Sequence, residues 1–344
     1  MMNSNYTSTN ETEFNLRNEN PTAPLYLFVV SILICTVTIC FNTVSILVVG
    51  SMFDKRRTSY FHIISLALTD MMVGITIVPI IDSYWNSNRY YDFYDCAARF
   101  FLFGTSYIAS IIHIFGICLE RVLILYEKLP KDRKCCINIF IILLAWIVGI
   151  ISMVILFYLW APEKVLTECS IDALFVNNLE DVNLFFSSLS SIFQLAVLMC
   201  MLILFLFVQN YKRHAVRSGI RKASAKDFKI CLTILAIAVM FLLFDAPITI
   251  VLMVEGTRKG HRFSRTVRNA SLLFAGLNST CNPVVYVYRI PEFRKQIIHM
   301  ANICKQNFRG DAENINQIEL TEILKCIQLF TPTFRRIILR KDLC

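Results

Sequence analysis

Long apolar runs alternate with short polar connections along this chain. The runs fall at residues 25–52, 60–83, 96–126, 136–160, 182–210, 227–254 and 269–289. Each is close to the roughly 20 residues that a helix needs to cross a hydrocarbon layer of ~30 Å. Backbone polar groups cannot stay unpaired in lipid, so runs of this length are predicted to be helices. None of the connections leaves room for a soluble domain. The expected fold class is an all-α membrane protein, a bundle of seven transmembrane helices. A short amphipathic helix beginning near Pro291 is predicted to follow as an eighth.

Composition supports a chain whose main solvent is lipid. Hydrophobic residues make up 56% and charged residues 17%, with 27 Phe and a mean hydropathy of +0.56, against about 25% charged in a typical soluble domain. That excludes disorder, collagen-like repeats and an ordinary globular enzyme with a charged surface. The net charge of +9 follows from topology rather than from a nucleic-acid partner. Most Lys and Arg fall on alternate connections: Lys55, Arg56 and Arg57, then residues 121–134, then 212–229, then the tail. The positive-inside rule therefore predicts an extracellular N-terminus and a cytoplasmic tail in a multi-pass plasma-membrane protein. The expected division is an extracellular segment 1–24, a membrane domain 25–303 and a tail 304–344. The first segment has no apolar stretch of signal-peptide type, so no cleaved leader is expected. It does hold two glycosylation sequons, at Asn5 and Asn10; a third, at Asn278, lies within a span and is expected to stay unmodified.

One connection departs from the charge rule. Arg258, Lys259, Arg262, Arg265 and Arg268 precede the seventh span on the outer side. They either attract an acidic ligand, form a solvated charge run, or pair with the acidic loop after the fourth span, which carries Glu163, Glu168, Asp172, Glu180 and Asp181. The solvated run is the expected reading. Most of the 13 cysteines sit in apolar runs, where Cys behaves as a small hydrophobe. Cys96 and Cys169 are both predicted on the oxidising outer side, where they can pair.

The chain resembles the rhodopsin-like (class A) G-protein-coupled receptors over about residues 25–303. The residues that carry the resemblance are Asn42 in the first span, Leu66-Ala67-Leu68-Thr69-Asp70 in the second and Trp85 in the first outer loop. Cys96 and Glu120-Arg121-Val122 bracket the third span, Trp146 lies in the fourth, and Phe241 and Pro247 lie in the sixth. Asn282-Pro283-Val284-Val285-Tyr286 ends the seventh, and Phe293 follows in the surface helix. The resemblance implies that a heterotrimeric G protein couples at Glu120 and Arg121, with Asp227 able to bridge to Arg121 and clasp that side closed. It also implies that Asp70 faces Ser110, Asn278, Ser279 and Asn282, a set that binds a sodium ion in the family. A carboxylate in mid-membrane is in any case a functional-site hypothesis. A hydrogen-bonded polar cluster without an ion is the alternative. Phe241, Asp245, Pro247, Pro283 and Tyr286 are the implied activation switch, because proline-kinked helices can pivot and the family swings its sixth helix outward.

The departures from the family bear on the ligand. Val122 replaces the usual tyrosine, and the fifth span has no proline around Phe193-Gln194-Leu195-Ala196. Asp245 stands where a tryptophan is usual, and Phe103 where amine receptors carry an aspartate. The outer loop Glu168-Cys169-Ser170 and the serines Ser187, Ser188, Ser190 and Ser191 still resemble an amine receptor. The pocket candidates are therefore Phe103, Tyr107, Ser188, Ser191 and Asp245. Asp245 either meets a cationic ligand or lies near Asp70 as a second, coupled acid; the coupled pair is the expected arrangement. The extracellular ligand is expected to be a small amine-like molecule or a peptide. Gly276 at the retinal-lysine position disfavours an opsin. Cys304 is a candidate for palmitoylation. A membrane hydrolase would need clustered metal ligands, and His62, His113, His214, His261 and His299 are scattered. The alternative function is a receptor-like membrane protein that does not signal.

Overall fold

The computed structural model describes residues 25–52, 59–85, 92–127, 131–160, 169–218 and 225–310. Eight long helices account for nearly all of these: α1 (Leu25–Ser51), α2 (Ser59–Trp85), α3 (Phe93–Glu127), α4 (Lys131–Leu159), α5 (Leu179–Ser218), α6 (Ala225–Thr257), α7 (Arg265–Arg289) and α8 (Pro291–Gly310). A four-residue helix, Ile171–Leu174, lies between α4 and α5. The ring of packed neighbours runs α1–α2–α3–α4 and α5–α6–α7, closing through α1–α7. The helix α3 fills the middle and touches α2, α4, α5 and α6.

The bundle is apolar outside, and it buries polar side chains beside its hydrophobic core. Phe140, Leu143, Ile147, Ile151 and Val154 line an outward face of α4, while Asn42, Asp70, Ser110, Glu120, Asp245 and Asn282 are buried. Lipid supplies no hydrogen bonds, so polar side chains turn towards one another and interface positions favour small residues. Gly149 shows the second point. A Cβ there would lie 2.7 Å from the Thr105 carbonyl oxygen, so α4 approaches α3 more closely than any side chain permits.

Among the described residues, six helices are long and apolar enough by composition to cross a membrane, and α7 is not among them. The reason is its inward face, which carries Asn269, Ser271, Asn278, Ser279 and Asn282. Two helices outrun the sequence expectation. The helix α5 extends to Ser218 and α8 to 20 residues, because neither meets a proline or glycine that would stop it earlier. Pro247 lies inside α6 and Pro283 inside α7. Each removes one backbone donor from its helix.

Candidate functional site

An apolar cavity lies in the half of the bundle that contains Cys96. Phe100, Phe103, Gly104 and Tyr107 of α3 form one wall, at the three- and four-residue spacing of a single helix face. Met153 and Leu156 of α4, Asn183 and Phe186 of α5, Ile248, Leu252 and Glu255 of α6, and Arg268, Leu272 and Ala275 of α7 complete it. The volume is about 90 Å³, several times the ~15 Å³ that a single water needs.

The roof is built from the chain around Cys169. A disulfide joins Cys96 to Cys169 with their Cα atoms 5.5 Å apart, and both residues are fully buried. Ser170 then caps the four-residue helix, its Oγ accepting a hydrogen bond from the Ala173 backbone N–H at 3.0 Å. That turn brings Ile171 and Phe175 into the cavity wall.

Charged residues close the rim by pairing. Arg268 donates from Nε to Glu255 Oε1 at 2.8 Å and from Nη1 to Asp172 at 2.6 and 2.5 Å. Glu255 also accepts from the Phe263 backbone N–H at 2.9 Å and from Asn183 Nδ2 at 3.2 Å. Glu180 accepts from the Gly260 backbone N–H at 2.9 Å and lies 4.0 Å from Arg262. The basic loop is therefore not simply a solvated run. Two of its arginines pair with the acidic loop after α4, while Arg258 and Lys259 remain exposed.

The floor is a buried polar cluster around Asp245. Tyr107 donates its hydroxyl to Asp245 Oδ1 at 2.7 Å. Ser190 Oγ and Gln194 Nε2 donate to Oδ2 at 3.0 and 2.5 Å. Gln194 also reaches Thr249 Oγ1 at 2.7 Å, and the Thr249 hydroxyl donates back to the Asp245 carbonyl at 3.1 Å. Three helices, α3, α5 and α6, are thus tied together beneath the cavity. The expected pairing with Asp70 is not seen among the hydrogen bonds: the two carboxylates have separate partners. Nor does Asp245 form part of the wall, since Tyr107 stands between it and the cavity. Ser188 and Ser191 also differ from expectation. Both are half-buried and outside the wall, whereas Ser187 and Ser190, on the inward face of α5, are buried.

Below this, Asp70 accepts from Ser110 Oγ at 3.1 Å and from Asn282 Nδ2 at 2.8 Å. Ser279 also faces this carboxylate, and its carbonyl accepts from Asn42 Nδ2 at 3.0 Å. Asn278 is buried, and its Oδ1 has no partner. At the far end, Arg121 lies 3.8 Å from Glu120, which also accepts from Asn138 at 3.1 Å. Phe241 is fully buried, and Tyr286 packs edge-on against Phe293 at 6.0 Å. The side chains of Asp227 and Cys304, and the sequons at Asn5 and Asn10, lie outside the described residues.

Sequence reasoning passed over Ser190, Gln194 and Thr249 as partners of Asp245. The signal was present: Ser190 and Gln194 are four apart, as are Asp245 and Thr249, which places each pair on one helix face. It likewise missed Ser65, which accepts from Trp146 Nε1 at 3.0 Å and lies 2.9 Å from His113 Nε2.

Comparison with known proteins agrees with this architecture. The family model "7 transmembrane receptor (rhodopsin family)" matches residues 41–286. The adenosine receptor A3 of Ovis aries is 26% identical over 297 residues, covering 80% of this chain and 89% of that protein. The melatonin receptor type 1A of Mus musculus is 22% identical over 262 residues, 70% of each. The crystal structure of squid rhodopsin superposes with a TM-score of 0.64 at 16% identity, covering 86% of this chain and 88% of that one, and so shares the fold.

Proposed function

Because the chain belongs to the rhodopsin family of seven-transmembrane receptors, we propose that it is a plasma-membrane receptor that converts binding of an extracellular ligand into activation of a heterotrimeric G protein. The cavity half is the extracellular half in this reading, and the Arg121 end faces the cytoplasm, as the positive-inside rule favours. The observation that carries the proposal is the hydrogen bond from Tyr107, a cavity residue, to Asp245 on α6, two residues before Pro247. A ligand that moves Tyr107 changes the restraint on the helix that the family swings outward. The residues Glu120 and Arg121 then become the surface on which the G protein docks. Asp227 at the start of α6 is the proposed partner that holds Arg121 in the resting state.

A sodium ion suits the Asp70 cluster by the chemistry of its donors. Hard cations take oxygen ligands, and Asp70, Ser110 and Ser279 would supply them, with the unpartnered Asn278 Oδ1 as a further acceptor. A monovalent cation held there supplies positive charge against the buried carboxylate. These residues fix α2, α3 and α7 together through Asp70, Ser110 and Asn282.

The test is nucleotide exchange on a panel of purified G proteins with the receptor in lipid nanodiscs. Exchange above the receptor-free rate on at least one G protein supports a signalling receptor. No acceleration on any of them, basally or with a cavity-bound compound, contradicts it in favour of a receptor-like protein that does not signal.

A further inference from the structure

The cavity wall presents charge only as a pair. Glu255 has no side-chain exposure and Arg268 only 12%, and they are bonded to each other at 2.8 Å. The third member, Asp172, is one-third exposed and lies outside the wall, so its charge is turned towards water. A cationic ligand at the rim would meet Arg268 as well as Glu255, and an anionic one would meet Glu255 as well as Arg268. Breaking the pair to serve either would leave the other charge buried and uncompensated, which is strongly unfavourable. At the floor, Asp245 already accepts from four neutral groups and lies behind Tyr107, so it offers no free carboxylate to an amine.

One polar atom of a wall residue has no partner. Asn183 is 1% exposed, and its Nδ2 donates to Glu255 Oε2. A carboxylate can only accept, which fixes the orientation of the amide. Asn183 Oδ1 is therefore turned elsewhere, and it is buried with no partner. A buried acceptor without a donor is costly and uncommon, and this one belongs to a cavity residue.

We infer that the cavity takes a small uncharged molecule, apolar over most of its surface, that donates a hydrogen bond to Asn183 Oδ1, and that the Glu255–Arg268 pair is what rejects charged ligands. The inference deepens the receptor reading and rests on it. It replaces the amine-like ligand that the serines of α5 suggested.

The experiment uses the full chain in nanodiscs and a set of aromatic scaffolds, each supplied as the primary amide, the primary amine and the carboxylic acid. Binding is read by ligand-observed NMR, and a compound is assigned to the cavity when Ala275→Phe or, as a second filler, Leu252→Trp abolishes it in a protein of unchanged melting temperature. The amides are expected to bind at least about tenfold more tightly than the matched amines and acids, and N,N-dimethylation of the amide to remove that advantage. Glu255→Gln should raise the affinity of the acids about tenfold, and Arg268→Gln that of the amines. Amines or acids that bind the wild type as well as the amides overturn the inference. So does a charge preference that neither variant moves, or the absence of cavity-dependent binding in all three classes. Exchange on the G-protein panel, read with the same compounds, separates the two readings. Amides that bind without stimulating exchange contradict the receptor and leave the ligand class standing. Charged compounds that bind in the cavity and drive exchange do the opposite.

Discussion

A carboxylate buried in the sixth helix needs donors, and Asp245 takes them from α3 and α5 through Tyr107, Ser190 and Gln194. Hydrogen bonds to a charged group are worth about 1.5–3 kcal/mol each. Tyr107→Phe deletes one of them and keeps the ring that packs at 6.0 Å against Phe103. If that bond holds α6 in its resting position, its loss shifts the equilibrium by about tenfold or more. Basal nucleotide exchange of Tyr107→Phe should therefore rise by that order at equal surface expression, and an unchanged rate would show that the bond restrains nothing. The separation of Asp245 from Asp70 makes a second prediction. With no shared partner, Asp70→Asn and Asp245→Asn should affect basal exchange independently. Their effects, expressed as free energies, should add to within about 0.5 kcal/mol in a double-mutant cycle. A larger coupling would restore the paired-acid arrangement expected from sequence.

At the scale of elements, the closest approaches are made where glycine permits them. Gly149 brings α4 onto the Thr105 carbonyl, and Gly256 brings α6 onto the Leu184 backbone, 2.6 Å from the position of a Cβ. In both places the neighbour is backbone and cannot rotate away. Gly149→Val should destabilise the bundle by about 1–3 kcal/mol through overpacking, read as a lowered melting temperature; an unchanged one would mean that the two helices can part at no cost. Clasping of α6 at its other end is tested by Asp227→Ala, which should raise basal exchange, whereas no rise would mean that Asp227 does not hold Arg121. The spans were readable from sequence because apolar run length has one solution in lipid, and their ends agree with the structure to within a few residues except at α5. The partners of Asp245 were also encoded, as four-residue spacings on α5 and α6. The rim was not legible in the same way. Arg268 meets Asp172 across 96 residues and Glu255 across 13, and no periodicity joins a loop helix to two transmembrane helices. That pairing exists because the Cys96–Cys169 bond and the Ser170 cap bring the loop over the cavity.

Across the whole molecule, the disulfide ties one end of the bundle, and in the proposed mechanism the apolar packing at the other end is what gives way when α6 moves. Closing a loop with a sequence separation of 73 restricts the unfolded chain by about 4 kcal/mol on the chain-entropy model. Among the described residues on the Arg121 side of the Asp245 cluster, α3, α5 and α6 share an apolar core that includes thiols. Cys118, Cys200 and Cys231 lie outside any disulfide, are all buried, and are all in the core cluster that contains Phe241. An outward swing of α6 must open that cluster, and Cys231, 3% exposed at rest, moves with α6. The proposed link is that the cavity controls α6 through Tyr107. It is tested most directly by the rate at which a soluble maleimide alkylates Cys231, resolved by peptide mass spectrometry, in the wild type and in Tyr107→Phe. Labelling should be slow in the wild type and several-fold faster in Tyr107→Phe, with Cys35 on α1 reacting at the same rate in both. Equal rates at Cys231 would contradict it.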